Sequence, residues 1–170
     1  MKAILQIGLA AFFGIILTTV ASADTKRYGP FEFDTANPDI LRLVGPIDLR
    51  SALVFRRALD SHPGIETLTL NSVGGSVYTA LLIADDVHRA KLTTYIPPSS
   101  RCYSACAFIF LAGHTRRIHG NLGVHQISSA GISDEKNLQI SLSDIVAAFN
   151  KFSINPKILE YMLRTSPDDI

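Results

Sequence analysis

The chain has 170 residues, with 16 Lys and Arg against 15 Asp and Glu, a formal net charge of +1. A chain so close to neutral lacks the basic excess that draws proteins to phosphate backbones, so no nucleic-acid partner is expected. Two cysteines with no histidine at ligand spacing make a poor zinc site, and neither a metal nor a cofactor is expected.

In chain order, Lys2 supplies a short positive start, residues 3–20 are almost wholly apolar, and Ala21-Ser22-Ala23 offers a small-residue cleavage site. This is the layout of a secretory signal peptide over residues 1–23, which places the mature protein in the periplasm or outside the cell. A membrane contact is expected only if that segment stays uncleaved, because roughly 17–25 apolar residues suffice to cross a bilayer. Removing Lys2 leaves equal numbers of basic and acidic residues. Residues 24–170 are long enough for one domain with its own core.

Residues 24–38, rich in Gly, Pro and Asp, read as a lead-in segment. Ile40 to Ile47 alternates as a half-buried strand with a break at Gly45-Pro46. Asp48 can cap a helix whose stripe would be Leu49, Leu53, Val54 and Leu59, stopped by His62-Pro63-Gly64. Ile65 to Leu70 suits a buried parallel strand. After the turn Asn71 to Gly75, Ser76 opens a helix with Val77, Ala80, Leu81, Ala84 and Val87 on one face. Leu92 to Ile96 is a strand closed by Pro97-Pro98, and Ser104 to Leu111 a compact apolar helix. Residues 117–119 and 122–125 read as short strands, Ser128 to Lys136 as a mobile loop. Leu142, Ile145, Val146, Phe149 and Phe152 mark an amphipathic helix, and Pro156 to Leu163 another. Strand and helix alternate through the middle, which argues for a mainly parallel sheet with crossover helices.

Three places carry chemistry. Gly74 and Gly75 lie between a strand and a helix, where free backbone N–H groups can bind a developing oxyanion. The phosphate-binding fingerprints G-x-G-x-x-G and G-K-[ST] are absent. Ser104 sits at the mouth of a small-residue helix, Ala105-Cys106-Ala107, where its hydroxyl can project and the Ala105 amide can serve as a second donor. His125, in Gly-Val-His-Gln, is the candidate base. A third group that orients the histidine could be Asp168, Asp169, Asp134 or Glu135, and an amide or main-chain carbonyl would also serve. Cys102 and Cys106 flank Ser104. They are either bridged, given an oxidising compartment, or a pair of small buried thiols. His114 and His119, with Arg116 and Arg117, read as a solvated face or subunit contact.

Together, Leu70-Asn71-Ser72-Val73-Gly74-Gly75-Ser76-Val77, Ser104-Ala105-Cys106-Ala107 running to Ala112-Gly113, and His125 resemble the Clp protease proteolytic subunit and its relatives in the ClpP/crotonase superfamily. The likeness covers about residues 40–126. It implies an α/β fold of repeated β-β-α units with a mainly parallel sheet and C-terminal helices. It further implies a serine peptidase in which Ser104 attacks, His125 is the base, and Gly74, Gly75 and Ala105 form the oxyanion hole. Asp168 or Asp169 falls near the place of the family's acid, and the chain stops at Ile170 where relatives continue. A peptide or protein substrate and a homo-oligomer follow from the same likeness, and the leader points to a periplasmic branch. Two alternatives compete with the hydrolase. One is a non-catalytic binding or assembly module of the same fold, motivated by Tyr103 beside the serine and an unassigned acid. The other is a crotonase-type acyl-thioester enzyme, disfavoured by export.

Overall fold

The computed structural model describes residues 24–127 and 135–170; the leader at 1–23 and most of the loop expected at 128–136 lie outside the described residues. The order of elements is β1 (Thr25–Tyr28), β2 (Phe31–Asp34), β3 (Ile40–Val44), α1 (Ser51–Ser61), β4 (Thr67–Asn71), α2 (Val77–Arg89), β5 (Thr93–Ile96), β6 (Arg101–Tyr103), α3 (Ala105–Leu111), β7 (Thr115–Ile118), β8 (Asn121–Gly123), α4 (Glu135–Lys151) and α5 (Pro156–Arg164). A six-stranded sheet runs β1-β2-β3-β4-β5-β7, and a second sheet pairs β6 with β8. From β3 through β7 the pairing is parallel, because each successive strand is reached by a helical crossover.

The segment expected as a lead-in is instead an antiparallel hairpin, β1 on β2, turned at Gly29, whose φ is +58°. The Gly, Pro and Asp content masked a two-residue alternation: Phe31 and Phe33 point inward and are buried, Glu32 and Asp34 outward. Phe31 meets Phe55 of α1 at a ring-centroid distance of 5.1 Å. That contact also settles which face of α1 is inward. The buried residues are Ser51, Ala52, Phe55 and Ala58, while Leu49 and Leu53, expected in the stripe, are 81% and 53% exposed. Small residues at 52 and 58 let the helix approach the sheet closely, which the bulkier leucines would prevent. Asp48 does hold the entry to this helix, accepting from the Arg50 amide at 2.8 Å and from the Ser51 hydroxyl. Those hydrogen bonds keep its carboxyl below the usual carboxylate range.

Between the sheet and its helices lies one core built from Leu41, Leu43, Leu68, Leu70, Ile83 and Ile109, with Ile145 and Met162 brought in by α4 and α5. Asp86, buried on α2, is paired with Arg56 of α1 and Arg89, so its buried charge is neutralised. Among the described residues no helix is long and apolar enough to cross a membrane.

Candidate active site

Parallel strands end at the same edge of a sheet, and here the exits of β3, β4, β6 and β8 meet. Past β4, Ser72 continues alongside β6: its amide donates to the Arg101 carbonyl (2.7 Å) and its carbonyl accepts from the Tyr103 amide (3.0 Å). This lays the Gly74-Gly75 turn against the β6–α3 junction. A Cβ on Gly74 would stand 2.7 Å from the Tyr103 oxygen, 2.8 Å from the Ser104 Cβ and 2.9 Å from the Ala105 nitrogen. Glycine is required there twice over, because φ is also +97°.

Gly75 is set by the exit of β3. The Ile47 amide donates to the Gly74 carbonyl (2.8 Å), and the Ile47 carbonyl accepts from the Ser76 amide (2.9 Å). A parallel bridge of this kind uses the groups on either side of Gly75 and turns the Gly75 amide away from Ile47. Among the described residues that amide has no acceptor, and Gly75 lines the pocket described below. Gly74 differs from expectation. Its N–H donates to the buried Ser72 hydroxyl at 3.1 Å, so it is engaged and not available to a substrate oxygen. The L-N-S motif contained this serine, but a side chain folding back onto the backbone two residues on leaves no periodic signal.

Ser104 joins β6 to α3 with φ 55° and ψ −128°, a left-handed conformation rare for a residue with a Cβ. Such strand–turn–helix elbows project a side chain outward from a sheet edge, and they store strain of about 1–3 kcal/mol. Ser104 makes no side-chain cap bond to the helix, and its hydroxyl has no partner among the described residues. Its amide donates to the Gly123 carbonyl (3.0 Å). The Ala105 amide, first in α3, has no acceptor among the described residues, as the opening amides of a helix do unless capped. Cys102, in β6, and Cys106, in α3, are disulfide-bonded across the elbow, with their Cα atoms 5.2 Å apart. The Tyr103 ring lies against Gly123, where a Cβ would come within 2.9 Å of it, and does not line the pocket.

His125 was expected on a strand, but β8 ends at Gly123 and the histidine lies two residues beyond, in irregular backbone. Because Tyr103 pairs with Gly123, that step carries His125 past Ser104. Its Nδ1 donates to the main-chain carbonyl of Gln126 at 2.5 Å. A carbonyl oxygen only accepts, so Nδ1 carries a proton, and in the neutral ring the lone pair is on Nε2. Gln126 is itself held at the end of α5: its amide donates to the Thr165 carbonyl (2.9 Å) and its side-chain Nε2 to the Leu163 carbonyl (2.7 Å). Asp168 and Asp169, expected near the histidine, are exposed in a 3-10 turn (Pro167–Asp169) and their carboxylates bond no described residue. Asp134 lies outside the described residues.

Gly75, Ser104, Ala105 and His125 line one pocket of about 390 Å³, a size that fits a few side chains of an extended ligand. Phe108, Val124, Ile127 and Met162 give it apolar walls, and Ser76 and Ser141 add hydroxyls. Ser104 and His125 face this space without a direct hydrogen bond between them. No group of three or more metal-ligating side chains occurs among the described residues.

No family model matches the chain, and no curated protein matches it in sequence. Solved structures match it in fold, two of them as follows. One is a variant of ClpP1 from Listeria monocytogenes, 20% identical, with a TM-score of 0.55 over 78% of this chain and 85% of that one. The other is a variant of 1510-N, a membrane-bound stomatin-specific protease, 17% identical, with a TM-score of 0.54 over 76% of this chain and 72% of that one. The chain has a ClpP-like fold, with mixed α/β architecture and a mainly parallel sheet.

Proposed function

We propose that this protein is an exported serine hydrolase that cleaves peptide bonds through an acyl-enzyme. The observation that carries the reading is the pocket itself. An uncommitted serine hydroxyl on a strained elbow, an imidazole with Nε2 as acceptor, and two unpaired main-chain amides face the same 390 Å³. In the reaction, Ser104 Oγ attacks the substrate carbonyl while His125 Nε2 takes the hydroxyl proton. The Gly75 and Ala105 amides receive the oxyanion, with Gly75 in the role first expected of Gly74. The imidazolium returns its proton to the leaving amine, and water then releases the acyl group by the same route. Orientation of His125 falls to the Gln126 carbonyl, since Asp168 and Asp169 make no bond to the ring.

The stomatin-specific 1510-N is a protease by name, and with the likeness to ClpP1 this supports a peptide or protein substrate for the same fold. Export and a periplasmic or extracellular site of action are supported by the leader at residues 1–23 and by the Cys102–Cys106 bridge, which persists in oxidising compartments. Self-association is proposed on the resemblance to the Clp protease subunit and its relatives.

A fluorophosphonate probe tests the hydrolase directly. Covalent labelling is expected at Ser104, lost in Ser104→Ala and strongly reduced in His125→Ala. The missing Ser104–His125 hydrogen bond and the exposed carboxylates favour a second reading, a non-catalytic module of the same fold. An unlabelled but folded protein, whose partner binding is unchanged by Ser104→Ala, decides for the module.

A further inference from the structure

We propose that the Cys102–Cys106 disulfide is a positioning element of the active site: it holds Ser104 in its reactive, left-handed geometry. The inference rests on Ser104 being the nucleophile.

The ring closed by the bridge contains five residues with Ser104 at its centre. One end, Cys102, belongs to β6 and is fixed by strand pairing to Leu122 and by the bridge to Ser72. The other, Cys106, belongs to the first turn of α3. The ring therefore ties a strand to a helix across the one residue whose backbone departs from both. At φ 55° Ser104 is disfavoured by contact of its own Cβ with the backbone, so the elbow tends to relax. Relaxation of Ser104 towards extended backbone would carry the Cα atoms of 102 and 106 apart, with a limit of roughly 13 Å for a fully straightened segment at about 3.3 Å per residue. A disulfide keeps that separation within about 4.4–6.8 Å, and here it is 5.2 Å. The other restraints are non-covalent: the Ser104 amide on Gly123, the Ala107 amide on the Ser104 carbonyl, the Tyr103 amide on Ser72, and the packing of Gly74 against the elbow. The bridge is the covalent one.

Two further observations fit positioning. Both cysteines are fully buried, so the bridge is shielded from solutes. The Ala105 amide, a proposed oxyanion donor, sits inside the same five-residue ring. Loss of the bridge would therefore displace the nucleophile and one donor together, while Gly75, held by Ile47, stays in place.

The experiment compares bridged and unbridged protein of the same sequence. The mature chain is refolded from denaturant with and without oxidised glutathione, and thiols are counted by alkylation and mass. Fluorophosphonate inactivation is then measured over a range of probe concentrations at a temperature where circular dichroism shows both forms folded. The bridged form is expected to have a limiting inactivation rate roughly 10–100-fold higher, with little change in the half-saturating concentration. Unfolding the thiol form and refolding it with oxidised glutathione restores the fast rate: the two thiolates pass two electrons to the glutathione disulfide, which leaves as two glutathione thiolates. A bridge that only stabilises the fold would shift the unfolding midpoint and leave the limiting rate alone. Where the thiol form does not fold, Cys102→Ala/Cys106→Ala takes its place, with the same expected loss. Equal limiting rates in folded bridged and unbridged forms overturn the proposal, as does a chain that folds in neither unbridged form, which assigns the bridge to folding. A bridged, folded protein that the probe does not label removes the hydrolase reading, and this inference with it.

Discussion

The two sides of the pocket are built on different principles. The side of the proposed nucleophile is local and covalently tied: Ser104 sits in a five-residue covalent ring, crowded by Gly74, in a conformation that its own side chain resists. The side of the proposed base is held by long-range contacts. His125 lies outside regular structure, and Gln126 is held by hydrogen bonds to carbonyls 37 and 39 residues away, at the end of α5. A site that must aim a hydroxyl within a fraction of an ångström benefits from stiffness there. An imidazole that shuttles a proton between two oxygens needs room to tilt, and a main-chain carbonyl behind Nδ1 fixes its tautomer without locking its ring.

The contrast breaks most sharply at Ser104 and Gly74. Ser104→Ala keeps the left-handed backbone, so the unfolding midpoint is expected within about 0.5 kcal/mol of the parent while probe labelling falls to background. Gly74→Ala drives a methyl into the Tyr103 carbonyl and the Ala105 amide at a φ of +97°. A loss of about 3 kcal/mol in denaturant unfolding is expected, with labelling abolished. A wild-type-like midpoint for this variant would mean that the turn and the elbow do not touch. Ser104→Gly sharpens the same point with the opposite sign. It removes the hydroxyl and relieves the backbone, and a gain of about 1 kcal/mol is expected despite the added freedom of the unfolded chain.

On the base side the effects are smaller and kinetic. Gln126→Leu deletes the side-chain bond to the Leu163 carbonyl but keeps the main-chain carbonyl that orients His125. Because this bond is exposed, stability is expected to fall by only about 0.5 kcal/mol. Labelling is expected to slow by about tenfold, because the segment carrying the base loses one of its two ties to α5. A slowing without any change in midpoint would sharpen the contrast. A large loss of stability would erase it, making the base side as structural as the elbow.

What could be read from the sequence follows the same division. Period-2 and period-3.6 patterns are local, and they placed β3 to β5 and α2 to α5 within a few residues. The Gly-Gly turn, the Ser76 cap and the small-residue helix after Ser104 are likewise written in neighbouring residues. The β1–β2 hairpin was hidden because its turn chemistry, Gly29-Pro30, outweighs strands of four residues. β6 was hidden because three residues are too few to show a period. The α1 stripe was misplaced by counting leucines, when the close approach of Ala52 and Ala58 decides the inward face. The capture of Gly74 by Ser72, the carbonyl behind His125 and the exposed positions of Asp168 and Asp169 depend on contacts between segments, and no spacing rule encodes them.

The smallest expected effect lies outside both regions and keeps them comparable. His62 caps the end of α1, stacks on Phe33 at 3.6 Å and meets the Tyr28 hydroxyl through Nε2 at 2.9 Å. Burial, and then the nearby Lys26, hold its pKa below the ordinary histidine value of 6.5. A histidine whose folded pKa is lowered binds its proton more readily in the unfolded chain. Its contribution is therefore complete above about pH 6.5 and is lost as pH falls through the folded value. The unfolding midpoint is expected to drift down modestly between pH 7.5 and pH 5.5 in the parent, and to stay flat over that range in His62→Phe. Labelling rates compared across the same pH range report on Ser104 and His125 only after this drift is removed. A parent midpoint that is flat or rises on acidification would show that the hairpin end of α1 does not hold a neutral imidazole.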